Sequence, residues 1–97
     1  MSIKAIVEFQ AKPGKRAELK GLLESVLTKY GPGQPGLLGS TRYEVLDNPN
    51  LLVEIVDWAS AESRAAAIQE VMAAGAYAPL ADLLAAPIRA TVVRQLP

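Results

Sequence analysis

The sequence predicts an α+β domain of β-α-β-β-α-β order: a ferredoxin-like, antiparallel four-stranded sheet with helices on one face. Three observations predict it. Four runs have the alternation or β-branched content of strands, two stretches have helical periodicity or composition, and the breakers between them fall in that order. Ninety-seven residues suit a single domain (1–97) and are too few for two independent cores.

Residues 2–11 alternate, with Ile3, Ala5, Val7, Phe9 and Ala11 on one face and Lys4, Ile6, Glu8 and Gln10 on the other. Lys12-Pro13-Gly14 breaks the strand, and Pro13 suits a helix start. Over residues 15–30, Leu19, Leu22, Leu23, Val26, Leu27 and Tyr30 form an apolar stripe at helical spacing. The Gly- and Pro-rich segment 31–36 must be a loop. Residues 37–46 and 51–59 read as a hairpin around Asp47-Asn48-Pro49-Asn50. Ser60 is a candidate cap for an alanine-rich helix over 61–74, which Gly75 ends or bends. Pro79 can open a short helix through Ala85, and residues 88–96 supply the last strand.

Composition excludes several functions. The chain is 51% apolar, as a soluble globular protein is, and ten basic residues balance ten acidic ones. No basic stripe suits nucleic acid and no net charge suits anionic lipid. Without cysteine or histidine there is no disulfide, thiolate nucleophile, imidazole base or imidazole metal ligand. The carboxylates lack ligand-like spacing, and the glycines of the 31–36 loop lack the context of a phosphate cradle. The chain starts as a strand instead of a signal peptide, and no apolar run is long enough to span a membrane. A cytoplasmic location is expected.

The third strand is apolar on both sides. Leu52, Glu54, Val56 and Trp58 share one side, and Leu51, Val53 and Ile55 share the other. Since the helices cover one face, the set containing Leu52, Val56 and Trp58 is expected on the bare face, where it demands cover. A homodimer stacking two sheets face to face around a pocket would provide that cover.

Several segments resemble the antibiotic biosynthesis monooxygenase (ABM) domains. The opening from Ile3 through Lys12-Pro13-Gly14-Lys15 is similar to their first strand and helix entry. Pro35-Gly36 before the second strand is similar too, as is Val56-Asp57-Trp58-Ala59-Ser60-Ala61-Glu62 at the strand-to-helix passage. The resemblance runs the whole chain in order and spacing. It implies a dimeric α/β barrel, with a pocket in each subunit between sheet and helices. Members include cofactor-independent oxygenases of quinols and polyketide-derived phenols, haem-degrading enzymes, and proteins of no assigned activity. There are departures. Family members often carry a histidine on the second helix, in the stretch that reads Ala67-Ile68-Gln69 here. Haem-degrading relatives pair such a histidine with a first-strand asparagine, and neither is present. The glutamate that often stands two before the Trp is Val56, with Asp57 next to it.

The candidate catalytic residues are Trp58, Glu54 and Tyr77, and the candidate substrate-binding residues are Trp58, Arg64 and Arg42. Trp58 could stack an aromatic substrate, or serve as an interface or core aromatic. Glu54, if buried, could take a phenol proton, or be an interface carboxylate paired with Arg42 or Arg89. Tyr77 could donate to a substrate carbonyl, or pack as a loop tyrosine. Arg64 follows the Trp where some relatives place a polar pocket residue, though a helical arginine there is expected to face solvent. Tyr30 and Tyr43 read as structural, and Met72 as a filler of a core gap. The resulting expectation is a monooxygenase oxidising a small aromatic phenol or hydroquinone with dioxygen, requiring no cofactor or metal. The alternatives are a non-catalytic small-molecule-binding or interaction domain on the same scaffold, and an isomerase or cyclase of aromatic intermediates.

Overall fold

The computed structural model describes residues 2–97. Strand β1 (Ile3–Gln10) leads to helix α1 (Arg16–Tyr30), strands β2 (Leu37–Val45) and β3 (Asn48–Trp58), helix α2 (Ala61–Ala73), a 3-10 helix (Ala78–Leu83) and strand β4 (Arg89–Val93). The sheet order is β2-β3-β1-β4 and every pairing is antiparallel, the ferredoxin-like arrangement expected. Among the described residues no helix is long and apolar enough to cross a membrane.

Local chemistry accounts for the element ends and corrects three expectations. Pro13 does not open α1. Lys15 N–H donates to the Lys12 carbonyl at 2.9 Å, and Gly14 has φ +76°. Pro13 and Gly14 are thus the two corners of a type II turn, which needs a positive φ at its second corner. The hairpin turn is not at 47–50 either, because Val45 pairs with Asn48 and leaves a two-residue loop, Leu46 and Asp47. Asn48 Oδ1 accepts from Asn50 N–H at 3.1 Å, and a register irregularity after Glu44 absorbs Pro49, which has no N–H to donate. The last strand is shorter than expected, since Ile88 and residues 94–96 lie outside it.

The α2 signals hold. Ser60 Oγ accepts from Ser63 N–H at 3.1 Å, and Gly75, at φ +70°, ends the helix as a C-terminal glycine does. Gly36 is required by proximity as well as by its φ of +84°. A Cβ there would lie 2.4 Å from Ser63 Oγ, so the loop passes directly under the α2 cap.

Register decides which face is covered. Ile3 stands opposite Trp58, Ala5 opposite Val56, Val7 opposite Glu54 and Phe9 opposite Leu52. Directly opposed residues share a face, so the Leu52–Trp58 set lies with the alternating apolar set of β1. Both sets are under the helices. One core cluster joins Phe9, Leu19, Leu23 and Leu52 to Leu80 and Leu83 of the 3-10 helix. A second joins Ile3, Ala5, Val56 and Trp58 to Ala67 of α2, and Val7 packs against both. The expectation that Leu52, Val56 and Trp58 occupy the bare face is therefore wrong. The bare face carries the other set: Ile6 with Leu51, Val53 and Ile55, flanked by Thr41, Tyr43 and Thr91. Its middle is still apolar, because β3 is apolar on both sides.

Leu19 is fully buried where α1 meets the sheet. Leu19→Ala is expected to cost about 2–5 kcal/mol, read as a fall in the urea midpoint at unchanged slope. Leu46→Ala, at a loop position 93% exposed, is expected within about 0.5 kcal/mol of the parent.

Candidate functional site

A cavity of about 370 Å³ lies between the sheet and the two helices. Its floor is the helix-side surface of the sheet, where the pairings align Arg42, Glu54, Val7 and Ala90 in one cross-strand row. Ser40, Val56, Ala5 and Val92 form the next row. The second half of the α1 stripe, Val26, Leu27 and Tyr30, makes one wall, so the stripe packs the core with one end and lines the cavity with the other. Helix α2 makes the opposite wall through Arg64, Ala67, Ile68 and Val71, which recur at three- and four-residue spacing along one helix side. Trp58 and Tyr77 complete the lining. Its exposed members are Met72, Ile88 and Ala90, which places the rim between α2 and β4.

The lining is apolar except for a few groups. Glu54 is the central one, with a side chain only 15% exposed. Its Oε2 accepts a long hydrogen bond from Ser40 Oγ at 3.4 Å and faces Arg42 Nη1 at 3.6 Å. Burial pushes the Glu54 carboxyl above its ordinary value, and Arg42 and Ser40 oppose that rise only in part. Arg42 Nη1 is buried and has no hydrogen-bond acceptor among the described residues, so it holds Glu54 by charge and not by a hydrogen bond of normal length. Burial raises the Tyr77 phenol too, and the Glu54 charge adds to the rise while Arg64 works against it. Tyr77 is therefore a neutral donor within electrostatic reach of both charged groups.

Four of the five candidate residues line this cavity: Trp58, Glu54, Tyr77 and Arg64. Glu54 pairs with Arg42, as one reading expected, but inside the fold instead of at an interface. Arg89 stands opposite Glu8, on the bare face, and plays no part. Tyr77 both lines the cavity and packs on the first core cluster. Arg64 is half-buried against the cavity, not solvent-facing. Arg42 stands behind Glu54 and lines a neighbouring groove of about 720 Å³ between the α1 entry and the β2–β3 hairpin.

Sequence reasoning missed Ser40, Tyr30 and Gln34, and misplaced Met72, which is 64% exposed at the rim instead of filling the core. A signal existed for two of these. Tyr30 continues the α1 stripe on the buried side, and Ser40 shares a strand face with Arg42. Among the described residues no group of three or more acidic, histidine or cysteine side chains is placed to hold a metal ion.

Fold and site together define a ferredoxin-like α+β domain with a mostly apolar cavity floored by one buried carboxylate. Solved structures share this fold over nearly the whole chain. A conserved protein from Methanosarcina mazei matches with TM-score 0.86 at 21% identity, covering 99% of this chain and 94% of that one. A Nitrosomonas europaea protein provisionally named an antibiotic biosynthesis monooxygenase matches with TM-score 0.84 at 18% identity, covering 98% and 90%. A point mutant of SnoaB, a cofactor-independent oxygenase from Streptomyces nogalater, matches with TM-score 0.81 at 17% identity, covering 97% and 92%. No family model matches the chain, and no curated protein does. The likenesses establish that the chain has the fold of structures named as ABM proteins.

Proposed function

We propose that the chain is an ABM-type monooxygenase that oxidises an electron-rich phenol or hydroquinone with dioxygen, without a cofactor. The observation that carries this reading is the cavity itself: about 370 Å³, mostly apolar, with Trp58 in its lining and Glu54 in its floor. That volume falls within the range of small-molecule sites. Trp58 offers an aromatic face on which to stack a flat ring. The fold shared with SnoaB, a cofactor-independent oxygenase by name, adds to this support.

Glu54 takes the acidic proton of the bound substrate, helped by the raised proton affinity that burial gives it. The substrate anion passes one electron to dioxygen, and the radical pair closes a carbon–oxygen bond to give a peroxide anion. Glu54 returns the proton to the terminal oxygen. Cleavage of the oxygen–oxygen bond with loss of the hydrogen left on that carbon gives a carbonyl and water, so the reacting carbon, CH2 in the keto tautomer of the phenol, becomes C=O as O2 becomes H2O. Tyr77 donates a hydrogen bond to the substrate oxygen on which charge builds, and the apolar walls exclude water from the anion.

Oxygen uptake with a panel of anthrones and hydroquinones is expected to exceed the uncatalysed rate and to yield the carbonyl product. Uptake no faster than the buffer blank across the panel overturns the reading. Product formation without oxygen uptake would favour an isomerase or cyclase.

The same reading includes a homodimer joined through the bare face, where Ile6, Leu51, Val53 and Ile55 leave an apolar centre that the helices do not reach. Two sheets stacked on that face would cover it and leave each cavity on the outer, helix-bearing side. The dimer and the cavity thus use opposite faces of one sheet.

A further inference from the structure

The charge balance of the cavity is uneven, and the imbalance is Arg64. In the neighbouring groove every cation has a carboxylate: Arg16 pairs with Glu44, Lys20 with Glu24 and Arg42 with Glu54. Lys4 and Lys15 pair with Asp57 and Glu18. The remaining cations among the described residues are Lys12, Lys29, Arg64, Arg89 and Arg94, and all but Arg64 are exposed to water. Arg64 is half-buried, lines a mostly apolar cavity, and has no carboxylate within salt-bridge distance among the described residues. No protein carboxylate offsets the Arg64 charge beside those apolar walls. A ligand anion would offset it, through the paired N–H groups with which arginine grips a carboxylate.

We propose that the cavity's ligand is an aromatic hydroxy acid whose carboxylate binds Arg64 while its phenol faces Glu54. This deepens the oxygenase reading and rests on it for the aromatic ring and the phenol. Charges on the two sides of the cavity support the orientation. Tyr77 lies within electrostatic reach of both Glu54 and Arg64, so the two act on one small volume from different elements, β3 and α2. With Glu54 paired to Arg42, Arg64 leaves one positive charge in excess, which a monocarboxylate neutralises. When Glu54 takes the phenol proton, the protein side gains one positive charge and the ligand becomes a dianion. The sum remains zero through proton transfer. A neutral phenol leaves Arg64 uncompensated in both states.

The test is calorimetric binding of two probes of matched ring size, 2-naphthol and 6-hydroxy-2-naphthoate, whose hydroxyl and carboxylate stand at opposite ends of the ring system. The wild type is expected to bind the acid more tightly than the neutral phenol by about 10- to 100-fold, the range for a charge-assisted hydrogen-bonded pair. Arg64→Gln should bring the ratio near one by weakening the acid more than 2-naphthol, and Arg64→Lys should retain part of it. Arg89→Gln, an exposed cation on the other face, should leave the ratio untouched. A wild-type ratio near one overturns the proposal, whatever becomes of the variants, and so does a ratio that survives Arg64→Gln. Binding is read without turnover, so the two readings fail separately. Acid selectivity in a protein that consumes no oxygen with any phenol removes the oxygenase and retains the anion site. Oxygen uptake with neutral hydroquinones and a ratio of one does the reverse.

Discussion

Glu54→Gln is expected to leave a folded protein that still binds aromatic ligand but turns it over about 10²–10⁴-fold more slowly, the range for loss of a positioned base. The substitution keeps shape, and the amide oxygen can still accept from Ser40 and face Arg42. What disappears is the group that can hold a proton. In the wild type the rate should fall toward acid pH, as Glu54 protonates. The limb belongs above the ordinary glutamate value of 4.5, because burial in the cavity disfavours the carboxylate. Arg42→Gln removes the cation that opposes this rise, so the limb should move to still higher pH. Stability takes the opposite sign. Below the ordinary value Glu54 is protonated in folded and unfolded chains alike, and the folded state bears no buried charge. As pH rises through the raised value, the folded chain must ionise a carboxyl in an apolar site, and stability falls. Activity therefore increases over the window in which Glu54 costs stability, and Glu54→Gln removes both trends. A Glu54→Gln enzyme of undiminished rate, or an acid limb at or below 4.5, would remove Glu54 from the role of base.

Ile55→Asp is expected to convert the protein from dimer to monomer at micromolar concentration while ligand affinity stays within a few-fold. Light scattering should give twice 10.3 kDa for the wild type and once that for the variant. Ile55 stands opposite Ile6 on one side and Thr41 on the other, at the centre of the bare face. An unpaired carboxylate sealed there would weaken association by roughly 10²–10³-fold. Trp58→Ala supplies the contrast. It should damage ligand binding and spare the dimer, because Trp58 lies under the helices with Ala67 and not on the bare face. A monomeric wild type under these conditions would exclude the stacked-sheet dimer. A dimer lost on Trp58→Ala but kept on Ile55→Asp would place the interface elsewhere.

These two predictions separate residues that the sequence alone placed together. Trp58, Glu54, Tyr77 and Arg64 could be named as site candidates because an aromatic, a carboxylate, a phenol and a cation stand out in apolar surroundings. Their arrangement could not. Arg64 shares its helix side with Ala67, Ile68 and Val71, a spacing visible in the chain, yet alanines on every side of α2 blur which side is buried. Ser40 carries only the signal of sharing a strand face with Arg42, since a lone serine in a strand gains meaning only from the Glu54 carboxylate that it reaches diagonally across the pairing.

Local physics accounts for most of the architecture. Alternation in β1, the α1 stripe, the Ser60 cap and the turn glycines each act over a few residues, so they are legible without knowledge of the rest. Their order leads directly to the four-stranded sheet with helices on one side. The orientation of β3 is a different matter. Its residues are apolar on both sides, so alternation divides Leu51–Trp58 into two sets but assigns neither to the core. That assignment comes from pairing with β1, whose Lys4 and Glu8 mark its outer side and whose Val7 meets Glu54. A shift of one residue in that register would exchange the sets, placing Trp58 outside and Ile55 within. Because the pairing joins segments about fifty residues apart, no local pattern carries it. It moved Trp58 and Glu54 from the face expected to be bare to the lining of a cavity under the helices.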